Sequence, residues 1–211
     1  MLKKIYVFDY KLELVTGLFI GGNDNGFDIG GADSNVIKNP LTQEPYIPGS
    51  SIKGKLQSLL KYAHGKVEGD DIVLEDEEIQ NIFKPVENKT PAITRAIFRD
   101  CKLTRKSSEE LQSKLGTNVF TEIKAENKIN AIKGTADSPL FIERVPAGAV
   151  FEGEIVLNIF DGDDEEKMKK AIEESLSLLE HNYLGGSGSR GYGRVSIKDK
   201  ELKDVMKNET L

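Results

Sequence analysis

With 211 residues, 38% apolar, 30% charged and a net charge of −6, the chain has the make-up of a folded globular protein and not of a disordered one. Its one cysteine, Cys101, excludes an internal disulfide framework and a multi-cysteine zinc site. No basic-plus-apolar leader opens the chain and no apolar run is long enough to cross a bilayer, so no membrane partner and a cytoplasmic location are expected.

Residues 3–15 alternate apolar with polar positions, the period of a half-buried strand. Gly17 to Ser34 is too rich in glycine for regular structure and reads as a long loop, a kind of segment that is usually functional or mobile. Tyr46 to Tyr62 reads as a helix entry: Pro48 and Gly49 in a turn, a serine cap, then Ile52, Leu56, Leu59 and Leu60 at helical spacing, which predicts a helix over about Ser50–Ala63. A polar, acidic connector with a short helical piece near Glu75–Phe83 leads to a second strand over Ala96–Leu103. Residues 104–146 lack a sustained period and read as a hairpin-like excursion from the core. Val150–Phe160 alternates strongly and is a strand; Glu165–His181 carries Met168, Ile172, Leu176 and Leu179 on one side and is an amphipathic helix. A glycine loop then gives way to a last strand, 193–198, and a polar tail from about Asp199.

Strand, helix, strand, then strand, helix, strand is the order of an α+β, ferredoxin-like (RRM-type) domain with both helices on one face of the sheet. The expectation is a single domain over residues 1–211, with a polyanion lying across the open sheet face. An acidic chain argues against that partner. However, the acid collects in Glu68–Glu78 and Asp161–Glu166, while Lys53, Lys55, Lys61, Arg190 and Arg194 stand in segments with little acid, so a local basic groove is expected.

Three motifs carry chemistry. Gly185-Gly-Ser-Gly-Ser-Arg-Gly-Tyr-Gly-Arg194 places arginines inside a glycine run, as suits backbone approach to phosphate; a plain connection normally needs fewer glycines. Pro48-Gly-Ser-Ser-Ile-Lys-Gly-Lys55 sets hydroxyls, free N–H groups and two lysines at the positive end of a helix, either an anion site or an ordinary cap with solvated lysines. In Gly30-Gly-Ala-Asp-Ser34, Asp33 could assist attack by a ribose 2′-hydroxyl, although an aspartate in a turn is ordinarily turn chemistry. His64 and His181 near helix ends read as structural, and Glu122, Lys124 and Glu126 as a solvated strand edge.

Taken in order, Val15–Gly22, Ile29–Ser34, Ile47–Lys55, Ala125–Asn130, Ile142–Pro146 and Tyr183–Arg194 resemble the repeated backbone subunit of type III-A (Csm) CRISPR effector complexes, a member of the RAMP superfamily. The resemblance spans nearly the whole chain. It implies an RRM-like palm, a catalytic loop insertion over about 17–47 and a thumb insertion over about 104–146. It also implies copies stacked along a CRISPR guide RNA beside other Csm subunits, and cleavage of complementary target RNA at regular intervals. By the same resemblance Asp33 is the catalytic and metal-binding residue, working with a divalent metal expected to be Mg2+. Guide contact falls to Ser50, Ser51, Lys53, Lys55, Lys128, Gly185, Gly186, Gly188, Ser189, Arg190 and Gly191. Phe19 stands where relatives often have histidine, and Ala131 and Leu140 where they often have arginine. Two alternatives remain: a scaffold that holds guide and target without cutting, and a RAMP-type guide-processing endonuclease in which His64 would act.

Overall fold

A computed structural model describes residues 1–22, 34–129, 132, 134 and 136–207. Four strands build the body of one antiparallel sheet: β1 (Leu2–Leu14), the short pair β5 (Ala96–Phe98) and β6 (Cys101–Leu103), β9 (Val150–Phe160) and β10 (Val195–Asp204). With the two-residue β2 (Tyr46–Ile47) at the far edge, the order is β10-β1-β9-β6-β2, and β5 also pairs with β9. Counting β5 and β6 as one interrupted strand gives the ferredoxin-like order, with β1 and β9 central.

Alternation decides which face is covered. On β1, Tyr6, Phe8, Tyr10, Leu12 and Leu14 are buried, and on β9 Phe151, Ile155, Leu157 and Ile159 face the same way. Against them pack α1 (Gly49–His64) through Ile52, Leu56, Leu59 and Leu60, and α4 (Glu165–Glu180) through Met168, Ile172, Leu176 and Leu179. Gly153 leaves the space that the Tyr10 ring fills, since a Cβ there would lie 2.3 Å from it. The Tyr10 hydroxyl reaches Cys101 Sγ at 3.6 Å, and burial pushes that thiol up to about 11, which makes it unreactive.

Several expectations need correction. The second strand is two strands, because the chain bends at Arg99–Asp100 to pass the start of α1; a Cβ on Gly49 would sit 2.0 Å from the Phe98 carbonyl oxygen. The connector before α2 (Glu77–Phe83) contains a hairpin of β3 (Gly65–Glu68) and β4 (Asp71–Leu74), which is mostly exposed and so shows no apolar alternation. Residues 104–146 begin with a helix, α3 (Arg105–Leu115), capped by Thr104, which accepts from the Ser107 N–H at 3.2 Å. That helix buries Leu111 with Ser107 and Ser108, too narrow an apolar stripe to reveal a period. It is followed by the separate two-stranded ribbon β7 (Glu122–Ile129) and β8 (Ala136–Arg144). The last strand runs on to Asp204, its outer half held by backbone pairing with β1 and by ion pairs such as Lys203–Asp9.

Two charged knots lie off the core. Arg95, fully buried, makes a two-pronged contact to Asp163 at 2.7 and 3.1 Å and donates to the carbonyls of Pro91 and Ile93. At the start of α4, Glu165 accepts from Lys4 at 2.8 Å, the Tyr6 hydroxyl at 2.5 Å and Lys169 at 3.2 Å, and these bonds hold its carboxyl down at about 2. A carboxylate whose pKa is depressed on folding adds stability in full above its ordinary 4.5, and loses it as the pH falls toward 2. Glu165→Gln is therefore predicted to lower the melting temperature at pH 7 and to flatten its decline between pH 4.5 and 2, read from thermal melts at successive pH values.

Candidate functional site

The open face of the sheet is not where the structure gathers free cations. Asp9, Glu13, Glu152 and Glu154 project from it, and Lys203 pairs with Asp9, Lys198 with Glu13 and Arg99 with Glu154. Between Val7 and Glu13 the open side of β1 carries no aromatic residue for base stacking, because Phe8, Tyr10 and Leu12 turn toward the helices. The expectation of a polyanion across this face finds no stacking platform there, and three of the four carboxylates are paired, while Glu152 and its cross-strand neighbour Lys102 make no ion pair among the described residues.

Two lysines without carboxylate partners among the described residues, Lys53 and Lys55, stand at the border, where α1 begins. The expected serine cap is absent; Pro48 holds the N-cap position with no side-chain bond, and the carboxylate of Asp100 takes the Gly49 N–H at 2.7 Å. The N–H groups of Ser51 and Ile52 turn back to the Pro48 carbonyl. Ser50 is exposed, Ser51 and Lys53 half-buried, and Lys53 has no carboxylate partner among the described residues. Gly54 lies in open space, so nothing within the chain requires a glycine there. Lys55 rests on the Tyr183 ring, its ammonium 3.7 Å from the ring centre, and burial lowers its pKa.

Tyr183 joins this helix start to the glycine run. On it lies Gly188, where a Cβ would come within 2.1 Å of the ring. Most glycines of the run have such an internal reason. Gly185, at φ +75°, meets the Phe19 carbonyl oxygen at 2.2 Å from a built Cβ, and Gly193, at φ +71°, meets that of Leu184 at 1.9 Å. Gly186 packs on the Phe19 ring, while Gly191, at φ +87°, needs only the left-handed conformation. The number of glycines thus follows from packing within the chain; Ser189 and Arg190 remain at the exposed tip. Phe19, the residue in place of histidine, is part of this packing.

The run is bound to segment 15–22. Gly186 N–H donates to the Phe19 carbonyl at 2.8 Å and Gly193 N–H to that of Gly17 at 2.9 Å. From the other side the base of β8 joins the same segment, with Leu18 and Val145 exchanging backbone bonds at 2.9 and 2.8 Å. Gly21 bridges Val36, and Gly22 N–H donates to Asn35 at 3.0 Å, so the two stems of the long loop are paired. Asp33 itself lies outside the described residues; its neighbour Ser34 forms a bridge with Ile142 of β8.

A second knot ties the β7–β8 ribbon to the glycine run, and the sequence missed it. Glu126, read as a solvated edge, accepts from Tyr192 at 2.7 Å, Arg190 at 2.9 Å and Lys124 at 3.3 Å. The bond from Tyr192 leads those that hold its carboxyl below the ordinary value against desolvation, while burial and then the same bond push the Tyr192 hydroxyl up to about 12. Lys124 and Arg144 lie on the Tyr192 ring at 4.5 and 5.1 Å, and Arg144 pairs with Glu122 at 2.7 Å. Lys61, one of the expected groove cations, pairs with Asp71 at 3.2 Å instead. One signal along the chain hints at the knot, a lone tyrosine inside the glycine run. Lys128 belongs to β7 by its backbone, and its side chain lies outside the described residues.

His64 does not belong to this site. It ends α1, about 21 Å along the axis from Ser50 at 1.5 Å per residue, and is paired with Glu174 of α4 at 2.7 Å. The guide-processing alternative, in which His64 would act, would thus place its chemistry at the other end of α1 from the serines. No group of three or more His, Cys, Asp or Glu side chains among the described residues could hold a metal ion, and no described helix is long and apolar enough to cross a membrane.

Comparison with known proteins places the chain. A model of the RAMP superfamily matches residues 11–196. The chain is 39% identical over 203 residues to the CRISPR system Cms endoribonuclease Csm3 of Streptococcus thermophilus, covering 95% of this chain and 90% of that one. It is 39% identical over 210 residues to the protein of the same name from Methanocaldococcus jannaschii, covering 95% and 82%. Among solved structures, the fold is shared with a chain of the type III-B Cmr-beta complex bound to cognate target RNA, at TM-score 0.67 and 20% identity over 95% of this chain and 61% of that one. It is shared also with a chain of the Csm3–Csm4 subcomplex of the type III-A CRISPR-Cas interference complex, at TM-score 0.54 and 24% identity over 100% and 86%.

The glycine contacts predict an ordered pair of effects. Gly191→Ala, with open space around it, is expected to lose about 1–2 kcal/mol from the left-handed backbone alone. Gly193→Ala adds a backbone collision and is expected to lose clearly more, read from urea unfolding midpoints of the two variants.

Proposed function

The chain belongs to the RAMP superfamily, in its Csm3 branch, and on that footing we propose that it is a guide-RNA-binding backbone subunit of a type III-A CRISPR effector complex that cuts complementary target RNA with Asp33. The observation that carries the reading is the joining of parts. The glycine run and the start of α1 meet across Tyr183, and the run is bonded to the stem of the loop that bears Asp33. The glycine run, the start of α1 and the stem of the Asp33 loop thus form one connected network.

Guide phosphates lie along the border, against Ser50, Ser51, Lys53 and Lys55 on one side and the tip Gly188–Gly191 on the other. Backbone N–H groups and cations there recognise phosphate without reading base identity, as a subunit that accepts any guide requires. Gly54 lets the strand run close to the helix, which accounts for a glycine that no internal contact explains. The β7–β8 ribbon, fixed to the glycine run through Glu126, serves as the thumb inserted between duplex segments, and guide contact is assigned to Lys128 on β7. Repetition of the chain along the guide, beside other Csm subunits, would set a regular spacing of cuts.

At the target strand, Asp33 draws the proton from the ribose 2′-hydroxyl next to the scissile phosphate, and the glycines around it let the backbone approach the strand. A divalent ion, expected to be Mg2+, would be held by Asp33, which suits an ion that keeps most of its waters and takes further ligands from phosphate. Bound there, it would supply positive charge to the phosphate during cleavage.

The test is a complex reconstituted with guide. Asp33→Ala is predicted to bind guide and target as the wild type does and to lose the regularly spaced cuts; cutting that persists undiminished sinks the assignment and leaves the guide-holding scaffold. Lys53→Met with Lys55→Met is predicted to weaken guide binding and to flatten its salt dependence by about 0.7 per lost phosphate contact, measured by titration at several salt concentrations.

A further inference from the structure

We propose that Glu143 is a positioning residue for target cutting, fixing the C-terminal foot of the loop that carries Asp33. The inference rests on the reading of Asp33 as the cutting residue.

Glu143 is a carboxylate on β8 with 8% exposure, in a two-stranded ribbon outside the main sheet. A buried charge of that kind persists only where donors surround it. Three converge on it from separate stretches of chain: the Val36 N–H at 2.8 Å, the Thr121 hydroxyl at 2.5 Å and the Lys38 ammonium. Its own N–H donates to the Ser34 carbonyl at 3.1 Å. The residue that follows Asp33 is therefore tied to the backbone of Glu143, and the residue three places on is tied to its side chain.

The other foot depends on the same carboxylate at one remove. Val36 bridges Gly21, and Ile37 N–H donates to the Ile20 carbonyl at 2.9 Å, so 36–37 carries the hold of the carboxylate across to the other foot of the loop. A hydrocarbon of equal size could fill the volume, but it would leave the Val36 N–H and Lys38 without their acceptor. What Glu143 holds is the exit of the loop and the entry to β7.

A displacement of about 1 Å at a reacting group can slow a reaction about 100-fold. Loss of the Glu143 charge should therefore act on the cutting step and spare the grip on RNA. In a complex reconstituted with guide, wild type, Asp33→Ala and Glu143→Gln are compared for target affinity and for single-turnover cutting at saturating target. The expected result for Glu143→Gln is unchanged affinity with cutting slowed about 10- to 100-fold, and for Thr121→Val, which removes one of the three donors, a smaller loss of the same kind.

Wild-type cutting by Glu143→Gln beside an inactive Asp33→Ala overturns the positioning role and leaves the function intact. Equal losses of affinity and rate overturn it as well, since they mark a residue needed only for folding. Should Asp33→Ala cut normally, the functional reading falls first and Glu143 has nothing to position. If Glu143→Gln fails to assemble, Thr121→Val and Lys38→Met decide: slowed cutting at full affinity supports the role, and an unchanged rate in both overturns it.

Discussion

Segment 15–22 is gripped from two sides, on one of them too closely for side chains at 185 and 193, and the rest of the site depends on that grip. The glycine run lies against it through the Gly186 and Gly193 amides, closely enough that Cβ atoms at 185 and 193 would strike carbonyl oxygens. The base of the β7–β8 ribbon lies on its other side through Leu18 and Val145. A phosphate-binding loop, a protruding ribbon and the stem of the Asp33 loop thus share one backbone scaffold. Such sharing suits a subunit in which holding one strand must place another strand at a fixed distance from a carboxylate.

The charge distribution answers how an acidic chain can serve a polyanion. Its carboxylates are mostly occupied: across the open sheet face, at the start of α4 and inside the buried Arg95–Asp163 pair, each faces a cation of the same chain. Surface pairs of this kind add little stability. They do reduce the field near the sheet, and Lys53 at the start of α1 is among the cations left without a carboxylate partner among the described residues. The net charge of −6 is then a property of the whole chain and not of the path that RNA takes.

Much of the fold was legible because the elements that build it bury one face. β9 and α4 carry strong periods; β9 runs as expected, α4 stops one residue short of His181, and β1 is shifted by one residue at each end. The elements that escaped detection bury little: α3 through Leu111, β3 and β4 almost nothing, and the outer half of β10 through backbone pairing alone. At the site, sequence reasoning found the three motifs but not what joins them. Tyr183 between Lys55 and Gly188, Glu126 beneath Arg190, and Asp100 on the Gly49 amide are long-range contacts, and no spacing along the chain encodes them. The glycines of the terminal run were attributed to a ligand, when most answer to close packing inside the protein.

Native-state hydrogen exchange on the isolated chain tests the shared scaffold most directly. The amides of Gly186 and Gly193, of Leu18 and Val145, and of Gly22 and Ile37 each make one of the bonds that join the three parts. A single scaffold predicts that these amides open together, with one free energy and one dependence on denaturant. If the glycine-run amides exchange freely while those at Gly22 and Ile37 stay protected, the parts move separately and the account of their coupling fails.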